Sequence, residues 1–147
     1  MIEDGTYPAS REDLDEILTI EQASFPNPFT RDLFEVELRL KIAHLLVLKR
    51  GEKVVGYMDF WHVADEMHLI NIAVHPEKRR QGIAAVLMDH LVAYAQEKGV
   101  RVIFLDVRVS NGSAIALYEK YGFKSAGVRK GYYKDNQEDA VVMRREF

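Results

Sequence analysis

The sequence contains no cysteine. That excludes disulfides, thiolate metal sites and a cysteine nucleophile. No apolar run reaches the roughly eighteen residues a membrane-spanning helix needs, so no membrane partner is expected. The N-terminal Met1-Ile2-Glu3-Asp4-Gly5 is acidic and lacks the apolar core of a secretory signal. These absences point to a cytoplasmic protein. Excess charge is also missing: 20 Lys and Arg face 23 Asp and Glu, for a net charge of −3. Nucleic-acid binding usually needs a strongly basic face, so nucleic acid is not an expected partner. Neither G-x-x-x-x-G-K-S/T nor G-x-G-x-x-G occurs, so the two common nucleotide loops are absent. Repeats, low-complexity tracts and linkers are absent too.

What is present suits one domain over residues 1–147. Hydrophobic residues make up 48% and charged residues 29%, which describes a globular chain. Thr6-Tyr7-Pro8 reads as a short edge strand. Ser10, with Asp13 three residues on, opens a helix that runs to about Ser24. The prolines of Phe25-Pro26-Asn27-Pro28-Phe29 end it, and Thr30 caps a second helix. Ala43 to Lys49 and Val54 to Val63 read as strands around an Arg50-Gly51-Glu52-Lys53 turn, and a third strand ends at Val74. Ile83, Val86, Leu87, Leu91 and Tyr94 recur at helical spacing, which predicts a helix from Gly82 to about Lys98. A strand over Val102–Val107, a helix from Ala114 to Tyr121 and a strand over Phe123–Val128 follow. Arg129 to Asn136 reads as a polar loop, and Ala140 to Met143 as the closing strand. This alternation predicts a mixed sheet with helices on both faces.

One loop stands out. Arg79-Arg80-Gln81-Gly82 lies between an apolar strand and a helix start. A helix start offers unpaired N–H groups and the positive end of the dipole, Gly82 permits close approach, and the arginines add charge. The combination suits a phosphate or pyrophosphate, although a basic turn before a helix is also an ordinary solvated surface.

Arg79-x-x-Gly82-x-Ala84 resembles the R/Q-x-x-G-x-G/A motif of the GNAT acyl-CoA N-acetyltransferases. The block from Leu105 to Phe123, with Asp106-Val107-Arg108, Ser110-Asn111, Ala114-Ile115, Leu117-Tyr118 and Gly122-Phe123, is similar to the L-E-V-R-x-S-N-x-x-A-I-x-L-Y-x-x-x-G-F block of N-terminal acetyltransferases. Within the family the chain looks most like the RimI-type ribosomal-protein-alanine enzymes. The resemblance implies a single-domain α/β (α+β) GNAT fold. Its sheet would be mixed and mostly antiparallel, with a splayed central strand pair. It implies acetyl-CoA as co-substrate, no metal, and a protein N-terminus as acceptor. Backbone groups of Ile72, Ala73 and Val74 would pair with the pantetheine amides. Arg79, Arg80, Gln81, Gly82, Ile83, Ala84 and Ala85 would hold the pyrophosphate. Asn111 would bond a pantetheine carbonyl, and it reads equally well as a helix N-cap.

Tyr118 would protonate the leaving thiolate; otherwise it is one more core aromatic. Asp106 stands where the family pattern has glutamate, one methylene longer. It is the implied base, acting through water, or else a structural carboxylate paired with Arg108 or Arg101. His68 is the alternative base, at a position where some eukaryotic relatives carry a catalytic tyrosine. Phe25, Phe29, Tyr132 and Tyr133 would frame the peptide, and Glu66, Glu138 and Asp139 would draw a basic tail. Phe25 and Phe29 read alternatively as a hydrophobic staple. Two other functions share these features: a small-amine or antibiotic acetyltransferase, and a non-catalytic acyl-CoA-binding module.

Overall fold

The computed structural model describes residues 4–147. Residues 1–3 of the acidic N-terminus lie outside the described residues. The strands are β1 (Gly5–Pro8), β2 (Ala43–Arg50), β3 (Lys53–Val63), β4 (Glu66–Val74), β5 (Val102–Arg108), β6 (Lys124–Tyr133) and β7 (Glu138–Glu146). The α-helices are α1 (Leu14–Ser24), α2 (Arg31–Arg39), α3 (Ile83–Glu97) and α4 (Gly112–Lys120). A short 3-10 turn, Arg11–Asp13, precedes α1, and the Ser10 N–H donates to Asp13 Oδ2 at 2.9 Å, as the capping pattern predicts. The seven strands form one sheet in the order β1-β2-β3-β4-β5-β7-β6.

Every neighbouring pair is antiparallel except β4 and β5. Their parallel pairing runs only from Glu66↔Val102 to Leu69↔Leu105. Beyond that point β4 continues to Val74 and β5 to Arg108 without pairing to each other. The divergence begins at a bulge. Asp59 pairs with Asn71 and Phe60 with Leu69, so Ile70 is the extra residue on β4. A bulge raises the local twist and turns the strand from its neighbour. The expected splayed pair is therefore β4 and β5.

Alternation along the strands sends side chains into two cores. Leu46, Met58, Phe60, Met67, Leu69, Leu105 and Val107 pack against α3 and α4 through Leu87, Met88, Leu91 and Tyr118. Leu45, Val47, Tyr57 and Ala73 pack on the other face against Leu14, Ile17 and Ile20 of α1 and Phe34 of α2. Gly56 on β3 makes room for α3, because a Cβ there would lie 3.0 Å from Ile83 Cγ2 and 3.2 Å from the Ala73 carbonyl oxygen.

The expected boundaries need correction at the C-terminal end. Arg129–Asn136 is not wholly loop: β6 continues to Tyr133, and Tyr133 pairs with Glu138. The closing strand spans Glu138–Glu146 rather than Ala140 to Met143. The reason is that β6 is exposed along most of its length and pairs irregularly, with register shifts at Ser125/Gly127 and Arg129/Tyr133. A strand with neither face buried shows no alternation of apolar residues to read. Helix α4 also starts at Gly112, two residues before the expected Ala114.

Candidate active site

The opening between β4 and β5 is the centre of the site. The His75 N–H donates to the Val55 carbonyl at 2.8 Å, and Tyr57 stands opposite Ala73. Antiparallel pairing alternates, so Ala73 turns its backbone groups toward β3. Ile72 and Val74 turn theirs toward the opening. Of the three residues expected to bind pantetheine, these two have the right direction. The Val74 carbonyl already accepts from Arg79 Nε at 3.4 Å, and Arg79 Nη2 donates to Ser24 Oγ at 3.2 Å.

The expected phosphate loop closes the far end of this opening. Gly82 is the N-cap of α3 with φ +75°, and no side chain caps the helix there. No acidic residue occupies the first turn. The N–H groups of Ile83, Ala84 and Ala85 are thus left for an external acceptor. Arg79, Arg80, Gln81 and Gly82 are exposed beside them. Gly82 is needed for its backbone angle rather than for crowding, since a Cβ there would meet nothing within 4 Å. These residues fit a pyrophosphate and an extended amide-bearing arm. Asn111 caps α4, its Oδ1 accepting from Ala114 N at 3.2 Å. The cap reading holds, and among the described residues its Nδ2 has no partner, so it is free to donate to a carbonyl.

At the near end of the opening lies a cavity of about 270 Å³. His68 from β4, Phe104 and Asp106 from β5 and Arg129 from β6 line it. Both candidate bases therefore share one chamber. His68 stacks on Phe104 with ring centroids 5.5 Å apart and lies 4.0 Å from Glu66 Oε2. Asp106 is paired with neither Arg108 nor Arg101; Arg129 Nε donates to its Oδ1 at 3.0 Å. Arg108 instead bonds Asp135 and Glu138, and Arg101 bonds Asp65 and Glu66.

Tyr118 sits across the sheet from these groups. Leu105 and Val107 pack with Tyr118 in the α3/α4 core, so Asp106 between them projects to the other face. Tyr118 is 7% exposed, and its hydroxyl has no hydrogen-bond partner among the described residues. Burial, reinforced by the nearby Tyr133, raises its pKa above that of free tyrosine. Tyr133 is pushed up to about 12, by burial first and then by the Asp106 charge. Tyr133 is thus within electrostatic reach of both Asp106 and Tyr118.

The acceptor walls divide. Tyr132 and Tyr133 meet edge to face at 5.1 Å, and the Arg108 guanidinium lies 4.0 Å over the Tyr133 ring. Phe29 precedes the Thr30 cap and packs on Phe34 at 5.8 Å, which is the N′–N4 staple geometry. Phe25 and Phe29 both lean on the α1/α2 core, so the staple reading applies to this wall. The acids expected to draw a basic tail are already engaged: Glu66 with Arg101, Glu138 with Arg108 and Asp139 with Lys130.

A model of the acetyltransferase (GNAT) family matches residues 14–123. The chain belongs to that family. It is 42% identical over 133 residues to a Bacillus subtilis (strain 168) protein provisionally named a ribosomal protein bS18-alanine N-acetyltransferase, covering 90% of this chain and 88% of that one. It is 36% identical over 133 residues to the Escherichia coli (strain K12) ribosomal protein bS18-alanine N-acetyltransferase, covering 89% of each. The crystal structure of the Escherichia coli ribosomal-protein-S18-alanine N-acetyltransferase matches with a TM-score of 0.90 at 33% identity, over 97% of this chain and 93% of that one. The protein is a GNAT N-acetyltransferase that uses acetyl-CoA.

Two parts of this GNAT site escape sequence reading. One is Arg129, the partner of Asp106. The other is a buried knot beneath the α1–α2 loop. Glu21 is 1% exposed, accepts from Tyr57 Oη, from Asn71 Nδ2 at 2.7 Å and from the Phe29 N–H at 2.9 Å. It ties that loop to β4 next to the bulge. A glutamate at a helical core position is the one available sequence signal, because buried acids are rare unless they are partnered.

Proposed function

We propose that this enzyme acetylates the N-terminal α-amine of a protein that begins with alanine, with ribosomal protein bS18 the acceptor to test first. A ribosomal acceptor puts the reaction in the cytoplasm. The relatives named for that activity support the reading. The observation that carries it is the opening between β4 and β5, with the Arg79–Ala85 loop at one end and the Asp106–His68 chamber at the other. An acetyl-CoA arm laid in the opening would present its thioester at the chamber.

The chemistry is direct attack of the amine nitrogen on the acetyl carbonyl carbon. A C–N bond forms, the tetrahedral intermediate collapses, and the C–S bond breaks to release thiolate. Asp106 takes the amine proton through a water; a chamber of about 270 Å³ has room for one beside the substrate. His68 is the second candidate for that role. Tyr118, on the opposite face of the split, returns a proton to sulfur. Burial raises its pKa, so it stays protonated until the thiolate forms beside it. The amine proton thus leaves on one face of the sheet and the sulfur gains its proton on the other, and protonated Asp106 and the Tyr118 phenolate are reset by solvent as the products depart.

The test is mass spectrometry of a reaction with acetyl-CoA and an alanine-terminated peptide, beside the same peptide blocked at its N-terminus and carrying a lysine. The expected product is a single acetyl group on the free N-terminus. Acetylation of the blocked peptide alone, or of neither, would overturn the proposal.

A further inference from the structure

The charge inventory of the chamber bears on which amines it accepts. From β4 its titratable group is His68, from β5 Asp106 and from β6 Arg129, while β7 contributes only Val142. Tyr133, at the end of β6, faces the Asp106 charge as a neutral phenol. Asp106 and Arg129 lie 3.0 Å apart and cancel. His68 adds no negative charge in either protonation state. Outside the chamber, Glu66, Glu138 and Asp139 have cationic partners of their own, and Glu21, beside Asn71 on β4, is buried and held by three hydrogen-bond donors. A pocket that grips an ammonium ion needs net negative charge, and this one has none.

We infer that Arg129 is a specificity-determining residue. Its guanidinium neutralises Asp106, so that the chamber rejects the ammonium form of the acceptor and admits the neutral amine. The inference rests on the proposed N-terminal acetylation. Guanidinium stays charged at any working pH, so the rejection does not switch off. The consequence is selection by proton occupancy. At pH 7.5 an α-amine of pKa 7.7–8.0 is roughly one-third neutral, and a lysine amine near 10.4 only about 0.1% neutral. An amine-only chamber therefore favours α-amines over lysine roughly 200- to 300-fold before any shape discrimination.

Two unreactive peptides test this. One carries a trimethylammonium group on its N-terminal alanine, a fixed cation. The other carries an N-acetyl group, which adds three heavy atoms to the nitrogen, like three methyls, but no charge. Calorimetry with CoA present compares wild type, Arg129→Gln and Arg129→Lys. Arg129 is 55% exposed, so neither substitution threatens the fold. Wild type and Arg129→Lys should bind the neutral peptide about tenfold more tightly than the cationic one. In Arg129→Gln the cationic peptide should gain and close that gap, with the neutral peptide unchanged. Equal binding of both peptides by wild type, binding of neither, or an equal loss of both in Arg129→Gln would overturn the inference. The last result would reduce Arg129 to a support for Asp106. Wild-type acetylation of the free peptide reports separately on the proposed function.

Discussion

Asp106 is one methylene shorter than the glutamate of the family pattern, and the structure shows what accompanies that loss. Arg129 holds Oδ1, Oδ2 has no hydrogen-bond partner among the described residues, and Asp106 lines a chamber with room for water. If that water relays the proton that nitrogen sheds on attack, Asp106→Asn should cut kcat/KM by roughly 100-fold near neutral pH, and high pH should restore much of it, because hydroxide then takes that proton. His68→Gln should leave the profile largely intact. The check is a pair of pH–rate profiles on an alanine-terminated peptide, and the reverse pattern would move the base role to His68. On the acid side, Tyr118→Phe keeps the ring packed against Phe123 at 6.0 Å and removes only the hydroxyl. Turnover should fall on the order of 100-fold with acetyl-CoA affinity little changed. Full turnover in that variant would return Tyr118 to the role of a core aromatic.

Elements decide how far such residues could be found in advance. The β4–loop–α3 unit is local in sequence, so its strand, its basic turn and its helix start were all legible. The α4 block was equally so, because Asn111 and Tyr118 lie within one helix and its cap. Arg129 was not, because it reaches Asp106 across 23 residues and over the intervening strand β7. The Glu21 knot joins residues up to 50 apart and rests on β3–β4 register, which no local pattern encodes. A prediction belongs to the legible unit. Gly82→Glu puts a carboxylate where the α3 N-terminus would meet phosphate and forces a non-glycine residue to φ +75°, a strain of about 1–2 kcal/mol. That strain is small beside the burial of Leu87, Met88 and Leu91, each contributing roughly 1.5–3 kcal/mol, so α3 should stay folded. Acetyl-CoA binding measured by calorimetry should be lost while the circular dichroism spectrum persists. Undiminished affinity in the folded variant would remove the phosphate role from this loop.

Among the described residues, one buried acid that this proposed chemistry leaves unused also lacks a hydrogen-bond partner. Asp59 on β3 is fully buried, and neither carboxylate oxygen has a hydrogen-bond partner among the described residues. Its pKa is pushed up to about 9, first by burial and then by the neighbouring Glu37, whose own Oε1 accepts from Trp61 Nε1 at 2.7 Å. Asp59 is therefore protonated in the folded state at neutral pH, and ionised in the unfolded chain above about pH 4. The sign follows from proton counting. Between about pH 4 and 9 the folded state binds the extra proton, so this group makes folding stability fall as pH rises. Above about 9 the folded carboxyl ionises too, and its contribution levels off. Asp59→Asn keeps the shape and cannot ionise. The variant should match or trail wild type near pH 4 and gain on it steadily toward pH 9, by several degrees in Tm across that range. Thermal unfolding of both proteins at five or six pH values is the measurement. A Tm difference independent of pH would mean that Asp59 is not the proton-binding group.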